Sequence, residues 1–264
     1  MWFVGSKFDV TIRFSIEIGY VKLNTSNVYS GAGCSMSQDF AGKDLSGQDF
    51  SKTNLNGINF SNANLSRANL NGANLINVDL SNANLDGANL SHANLSQANL
   101  SNASLVGAIL IEAILDGIDL CHADLSDVDL SLARFGSSLL GKTADLCSTK
   151  FINANLTEAR LSSANLLDAD FNRATLIGTT MENLNLDGAK LNHANLHRAM
   201  LINVRMCSAN LFGADLSRAT LQHVDLYDTD LSSTNVKDAQ FIQVTGLSSD
   251  MTEELRWRGV HIHQ

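Results

Sequence analysis

Residues 60–100 read FSNANLSRANLNGANLINVDLSNANLDGANLSHANLSQANL. A large apolar residue returns at every fifth position, from Phe60 and Leu65 through to Leu100. Two residues before these centres stands a small apolar side chain, as at Ala63, Ala68, Ala73, Ala83 and Ala88. Between the two lies Asn or Asp, as at Asn64, Asn69, Asp79 and Asn84. An apolar–polar–apolar triplet is the alternation of a half-buried strand, with the alanine and the centre facing in and the asparagine facing out. The remaining two residues, mostly Ser, Gly, Asn, Asp or Arg, turn a corner. An α-helix cannot use this period, because residues five apart drift by about 140° around a helix of ~3.6 residues per turn. Strand and corner in alternation wind into a coil, and coils stack at about the 4.8 Å separation of neighbouring β-strands.

The rhythm extends well beyond this stretch. Centres recur at every fifth residue from Phe40 to Phe135 and again from Leu146 to Phe241, twenty in each run, and every one is Leu, Phe, Met or Val. The polar exceptions at the alanine position, Gln38, Lys43 and Gln48, gather in the first coil. From Phe135 to Leu146 is eleven residues rather than ten, with GSSLLGKTAD (136–145) between. The spacing predicts a one-residue bulge or a small loop there.

Tandem copies of A-[ND]-L-x-x over about 200 residues resemble the pentapeptide-repeat family. The resemblance implies an all-β fold: a right-handed quadrilateral β-helix with four repeats per coil and about ten coils. Residues twenty apart then stack in columns, such as Asn54, Asn74 and Asn94. No single repeat buries enough to be stable, so stability is shared along the stack.

The chain therefore divides into an N-terminal β-rich segment (1–35), a first run of repeats (36–135), the register break (136–145), a second run (146–245) and a C-terminal capping helix with its tail (246–264). In the first segment Phe8, Val10, Ile12, Phe14, Ile16, Ile18 and Tyr20 alternate with polar residues or Gly19, which predicts strand, either covering the open first coil or forming a hairpin beside it. Met36 offers an alternative start, since the repeat begins directly after it. At the other end Asp250 and Glu253 have the spacing of a capping box, and MTEELRWR predicts a short helix stopped by Gly259. Met251 and Leu255 share the face that covers the last coil, and His261 and His263 fall in a frayed tail. Trp257 suggests a second use of this end, as the contact of a homodimer.

The absence of proline fits a fold that needs nearly every backbone N–H in a ladder. A net charge of −9 argues against direct nucleic-acid binding, and no apolar run reaches the ~20 residues of a membrane span. Asp9, Arg13 and Glu17 interrupt any signal-peptide core, so a cytoplasmic location is expected. Cys34, Cys121, Cys147 and Cys207 form no C-x-x-C pair and read as free thiols. Cys147 and Cys207 are sixty residues apart, three coils or roughly 14 Å, beyond the ~7 Å reach of a disulfide.

Little chemistry is foreshadowed. Gly136–Thr143 (GSSLLGKT) matches the G-x-x-x-x-G-K-[ST] phosphate loop, but that loop needs a preceding strand and a following helix, and repeats lie on both sides. His92, His122, His193, His197 and His223 all follow centres, so they face outward, and no two are twenty apart to stack as ligands. No catalytic, cofactor-binding or metal residues are expected, and no cofactor. Charge is more telling: from Ala68 to Ala133 there is no Lys or Arg, while Glu112, Asp116, Asp119, Asp124, Asp127 and Asp129 crowd into about one coil. These six form a candidate acidic docking band, and Leu139, Leu140 and Lys142 in the break form a candidate loop contact. The reading that results is a rigid, non-enzymatic scaffold for an unidentified protein partner. Two alternatives accompany it: a DNA-mimicking, gyrase-binding protein, which the family resemblance also implies for some members, and a nucleotide binder acting through residues 136–143.

Overall fold

In the computed structural model the described residues are 15–18, 21–24, 39–136 and 141–263. The chain forms two compact units, residues 1–38 and 39–264. Of the first unit, β1 (Ser15–Ile18) and β2 (Val21–Asn24) pair antiparallel, Ile16 opposite Leu23 and Ile18 opposite Val21. The stretch from Phe8 to Phe14 and the alternative start at Met36 lie outside the described residues.

The second unit is a parallel β-solenoid. Its four faces are columns of bridged residues twenty apart. On the first face the outward position runs Asp39, Asn59, Asp79, Asn99, Asp119 and, beyond the break, Asp145, Asn165, Asn185, Arg205, Asp225 and Thr245. The second face runs from Asp44 through Asp124 and Lys150 to Asp230, and the third from Asp49 through Asp129 and Asn155 to Asn235. The fourth begins with Asn54, Asn74, Asn94, Ile114 and Arg134. It continues as a seven-stranded parallel sheet: β3 (Arg134–Phe135), β4 (Arg160–Ser162), β5 (Thr180–Glu182), β6 (Met200–Ile202), β7 (Thr220–Gln222), β8 (Gln240–Ile242) and β9 (His261–His263).

One pentapeptide, Asn64–Ala68, shows why the sequence coils. The N–H of Asn64 donates to Lys43 in the coil before, and that of Leu65 to Asn84 in the coil after. The N–H of Ser66 is taken by the Asn64 side chain at 3.1 Å. Arg67 N–H reaches Asp86 in the next coil, and Ala68 N–H closes the corner on Leu65. All five donors are used, which is the demand a buried backbone makes and the reason proline is absent. The Asn/Asp position is therefore more than an outward polar residue: its oxygen makes the turn. Arg67 has φ of 56°, and Asn62, Asn77 and Asn82 repeat that left-handed conformation at the same place in their corners, as the third residue of a type II turn requires. Glycine removes its cost at many of these corners, and Asn lowers it.

The interior is a stack of these repeats. From Leu45 onward every centre through Phe241 is buried, and so are the alanines two residues before them. Phe151 lies flat on Phe171, ring centres 4.7 Å apart and planes 5° off parallel, the spacing the ladder imposes. Where threonine replaces alanine, its hydroxyl bonds a main-chain carbonyl: Thr149 to Leu120, Thr179 to Leu176, Thr229 to Met206 and Thr234 to Leu231. Of the polar residues of the first coil, Gln38 lies outside the described residues, and Lys43 and Gln48 are exposed and half-buried; among the described residues no rung precedes them in their columns.

The break differs from expectation. Phe135 stacks on Leu161, and Asp119 bridges Asp145, so register passes from twenty residues to twenty-six for one coil. The insertion is six residues rather than a one-residue bulge: the next centre after Phe135 is Leu146, in the place that Leu140 would otherwise hold. An eleven-residue step equals one repeat plus six, which in the sequence looks the same as two repeats plus one.

The C-terminal end departs in two details. Helix α1 spans Ser249–Trp257, and its N-cap is Ser248, whose side chain accepts from Met251 N–H at 3.2 Å; Asp250 lies within the first turn, so no capping box forms. The stop is a Schellman motif: Gly259 N–H reaches Arg256, Val260 N–H reaches Leu255, and Gly259 takes φ of 93°. Leu255 and Val260, the pair that packs in such a motif, are both buried, while Met251 is half-buried. The tail is not frayed. β9 joins the fourth face, His261 opposite Gln240. Arg258 finishes the cover: its guanidinium donates to the Thr234 carbonyl, the kind of group that a following coil bonds elsewhere, to the Thr234 hydroxyl, and to the Leu231 carbonyl, which also accepts the corner N–H of Thr234. Arg258→Ala leaves those acceptors without this donor, and we expect a loss of about 1–3 kcal/mol in urea-induced unfolding; an unchanged midpoint would show that water replaces the guanidinium without cost.

Candidate functional site

Among the described coils an outward side chain belongs to one of four faces or the corners between them, so surface chemistry there is decided by a residue's place in the count of twenty. The six acidic residues of the band follow that rule and do not share a face. Asp119, Asp124 and Asp129 occupy the first, second and third faces, while Glu112, Asp116 and Asp127 take corners after the third, fourth and second. They girdle the solenoid. Most are also engaged with it. Asp116 pairs with Arg134 at 2.5 Å and Asp124 with Lys150 at 3.0 Å. Asp119 and Asp129 accept the N–H groups of Cys121 and Ser131, and Asp127 accepts from Asn153. Glu112 lies 3.4 Å from His92. Burial pushes the Asp124 carboxyl up, but hydrogen bonds from Ser126 and Lys150 outweigh it and hold the group below its usual value.

Of the loop residues, Leu139 and Leu140 lie outside the described residues, and Lys142 is exposed. The phosphate-loop pattern at 136–143 does not open a helix. Ala144 returns buried to the core and Asp145 re-enters the first face, so the geometry that motif needs is missing.

A different surface draws side chains together. At the corner between the third and fourth faces lies a groove of about 690 Å³, lined among others by Leu132, Arg134, Glu158, Arg160, Ile177 and Arg198. Arg134 and Arg160 stand on adjacent rungs of β3 and β4. Arg198 reaches in from a left-handed corner, and Gly178, one rung before it, borders the Glu158 side chain. Among the described residues the guanidinium groups of Arg160 and Arg198 make neither an ion pair nor a hydrogen bond, whereas Arg134 and Arg205 are held by Asp116 and Asp187. Sequence reasoning missed this cluster because its members are scattered over more than sixty residues. Counting in twenties from Arg134, with six added across the break, would have found the first pair.

The cysteines require a correction. Cys121 and Cys147 are not free: they are joined by a disulfide, with Cα atoms 4.8 Å apart. Both follow a first-face centre, and the six-residue insertion makes their separation of twenty-six a single rung. Cys147 and Cys207 remain unpaired with each other, and Cys207 is a free, half-buried thiol. Burial raises its pKa first, and the Asp225 carboxylate, 3.4 Å away, and Asp187 add to the rise.

A parallel β-solenoid with four pentapeptides per coil is the class these observations define. The comparisons agree: the family model for pentapeptide repeats matches residues 37–67, 63–102 and 98–136, and that for a pentapeptide repeat region matches 148–230. The chain belongs to the pentapeptide-repeat family. It is similar to the solved structure of HetL, a pentapeptide repeat protein involved in heterocyst differentiation regulation from the cyanobacterium Nostoc sp. strain PCC 7120, at 28% identity and a TM-score of 0.73, over 77% of this chain and 89% of that one. QnrB1, a plasmid-mediated fluoroquinolone resistance protein, matches at 15% identity and a TM-score of 0.42, over 86% of this chain and 91% of that one. A pentapeptide repeat protein from the Arabidopsis thaliana thylakoid lumen matches at 34% identity and a TM-score of 0.36, over 36% of this chain and 67% of that one. Among curated proteins none matches.

Two outcomes follow from the cysteines. Reducing the bridge should lower stability by about 3–4 kcal/mol, the chain-entropy value for a loop of this length; unfolding curves with and without reductant test this, and coincident curves would mean the bridge constrains nothing. Because its pKa is raised, Cys207 holds less thiolate at pH 8 than a free cysteine does. Its alkylation by iodoacetamide should be slower than that of a model thiol, and Asp225→Asn should speed it; a rate equal to the model thiol contradicts the assigned environment.

Proposed function

We propose that the protein is a non-enzymatic scaffold for protein–protein interaction, and that its partner docks at the groove between the third and fourth faces. The observation that carries this reading is the pair of unengaged guanidinium groups, Arg160 and Arg198, set beside Leu132 and Ile177. Arginine and apolar side chains together are the composition enriched at interface centres. The chemistry fits a partner segment that carries carboxylates flanked by apolar residues. The rigid ladder holds these groups in place before binding, which lowers the entropy cost of association. The likeness to HetL, a pentapeptide repeat protein involved in heterocyst differentiation regulation, is in keeping with a non-catalytic role.

The acidic girdle is the weaker surface for docking. A partner would meet at most two or three of its carboxylates at once, and those of Asp116, Asp124 and Asp129 already bond neighbouring rungs. The same facts weigh against mimicry of duplex DNA, which needs carboxylates spread along a face. Here Asp124, Lys150, Asp170 and Lys190 alternate charge along the second face, and Arg205 on the first pairs with Asp187 at the adjoining corner.

A three-armed co-purification tests the proposal. The intact protein is compared with Arg160→Glu/Arg198→Glu and with Asp119→Asn/Asp124→Asn/Asp129→Asn, in which asparagine keeps the side-chain oxygen of the turn. We expect the arginine variant to lose its bound proteins and the aspartate variant to keep them. The reverse pattern moves the interface to the girdle, and identical sets in all three arms remove both surfaces.

A further inference from the structure

The Cys121–Cys147 bridge has a third neighbour. His122 occupies the left-handed corner directly after Cys121, with φ of 61°, and its N–H donates to the Cys147 carbonyl at 3.0 Å. One ligand atom each from Cys121, Cys147 and His122 lie within 4.8 Å of one another. The two cysteines are half-buried and the histidine is exposed, so the cluster is anchored by the ladder on one side and open to water on the other.

We propose that, once the bridge is reduced, Cys121, Cys147 and His122 form a binding site for a thiophilic divalent cation of the zinc type. Three arguments carry it. The first is distance. In a tetrahedral site with metal–sulfur bonds of about 2.3 Å and metal–nitrogen bonds of about 2.0–2.1 Å, ligand atoms lie roughly 3.5–3.8 Å apart. Atoms already within 4.8 Å reach that spacing by side-chain rotation alone, and the ladder holds the two cysteine backbones a single rung apart.

The second is charge. Asp119 and Asp145 flank the pair, accepting the N–H groups of Cys121 at 3.0 Å and Cys147 at 3.2 Å. The corner neighbours of the pair along its column are Ser101, Asn102, Ser148, Leu167 and Asp168, none of them cationic. This setting disfavours two bare thiolates and favours a cation that neutralises them. The third is coordination number. Three protein ligands and one side open to water leave a fourth position for a water or an incoming group, the arrangement of an open zinc site.

The balance is explicit. A dithiol gives the disulfide two electrons and its two thiol protons and becomes a disulfide itself; a phosphine gives the two electrons and becomes the phosphine oxide, with water supplying the oxygen and the two protons, and either way two thiols result. The cation then binds as both thiols release their protons, and His122 donates a ring-nitrogen lone pair without gaining or losing charge. Oxidation to the disulfide removes both sulfur ligands together. The site therefore exists only in the reduced state. This inference is independent of the docking groove, which lies on other faces.

Cobalt(II) is the probe, because thiolate ligation gives it charge-transfer absorption and tetrahedral geometry gives it intense visible bands. The full chain is used with Cys34→Ser and Cys207→Ser, so no other thiol contributes. We expect the phosphine-reduced protein to take up one cobalt per chain with both signatures, and zinc to displace it. The oxidised form of the same protein should show neither, which serves as a control that cannot be confused with misfolding. Cys147→Ser should abolish the charge-transfer band. His122→Ala should weaken binding by more than about tenfold, since even groups one shell out from a metal cost that much. No saturable signal in the reduced protein, a signal that survives oxidation or Cys147→Ser, or affinity unchanged in His122→Ala each overturns the proposal.

Discussion

The structure depends on a complete account of backbone donors within five residues. In each regular repeat two N–H groups bond the following coil, one bonds the preceding coil, one closes the corner, and one is taken by the Asn or Asp side chain, as Asn64–Ala68 shows. Each unmade bond in a buried ladder costs about 1–3 kcal/mol, so a sequence that satisfies all five has little freedom to do anything else. The hydrophobic interior follows from this wiring. Once the corners are fixed, the centre and the alanine before it must point inward, and leucine columns such as Leu65, Leu85 and Leu105 stack at the strand spacing. Apolar burial then supplies the driving force, while the turn chemistry determines that the result is a coil.

The same wiring explains how the solenoid accommodates an insertion. Asp119 pairs with Asp145 and Leu120 donates to it as if nothing intervened. The ladder is left at the corner after Phe135 and is taken up again at Asp145. The disulfide sits two residues past the re-entry at Asp145 and ties the lengthened coil to its neighbour. At the far end the ladder is terminated by different means. Arg258, a side chain, supplies to the Thr234 carbonyl a donor of the kind the next coil supplies elsewhere, and β9 adds a strand to the fourth face alone.

How much of this could be read in the sequence depends on how far each feature reaches. The in–out pattern repeats within five residues, and so Leu90 or Ala93 reveals its burial by local rhythm alone. The column Asn54, Asn74, Asn94 needed only the further step that four repeats make a coil. Features that depend on counting across the break were lost. A remainder of one in the fivefold period hid an insertion of six, and with it the proximity of Cys121 to Cys147 and of Arg134 to Arg160. Ser248 displaced Asp250 as the helix cap because both residues suit that role, and only the path out of the last coil decides between them. That path is set at Gly246, whose φ of 83° brings its backbone against Leu226 and Tyr227 where no side chain fits. The strand at His261–His263 depends on the exposed edge of β8, which a reading of the tail by itself does not contain.

One consequence concerns changes in chain length. Because a full circuit takes twenty residues, the loss of a single pentapeptide from the middle of the solenoid would keep every centre buried yet turn all later side chains by a quarter of a revolution relative to the earlier ones. Removal of the six-residue excursion would rotate nothing. A lineage that gains or drops repeats singly therefore reshuffles which residues share a side, whereas one that does so in fours preserves its surface and alters only reach.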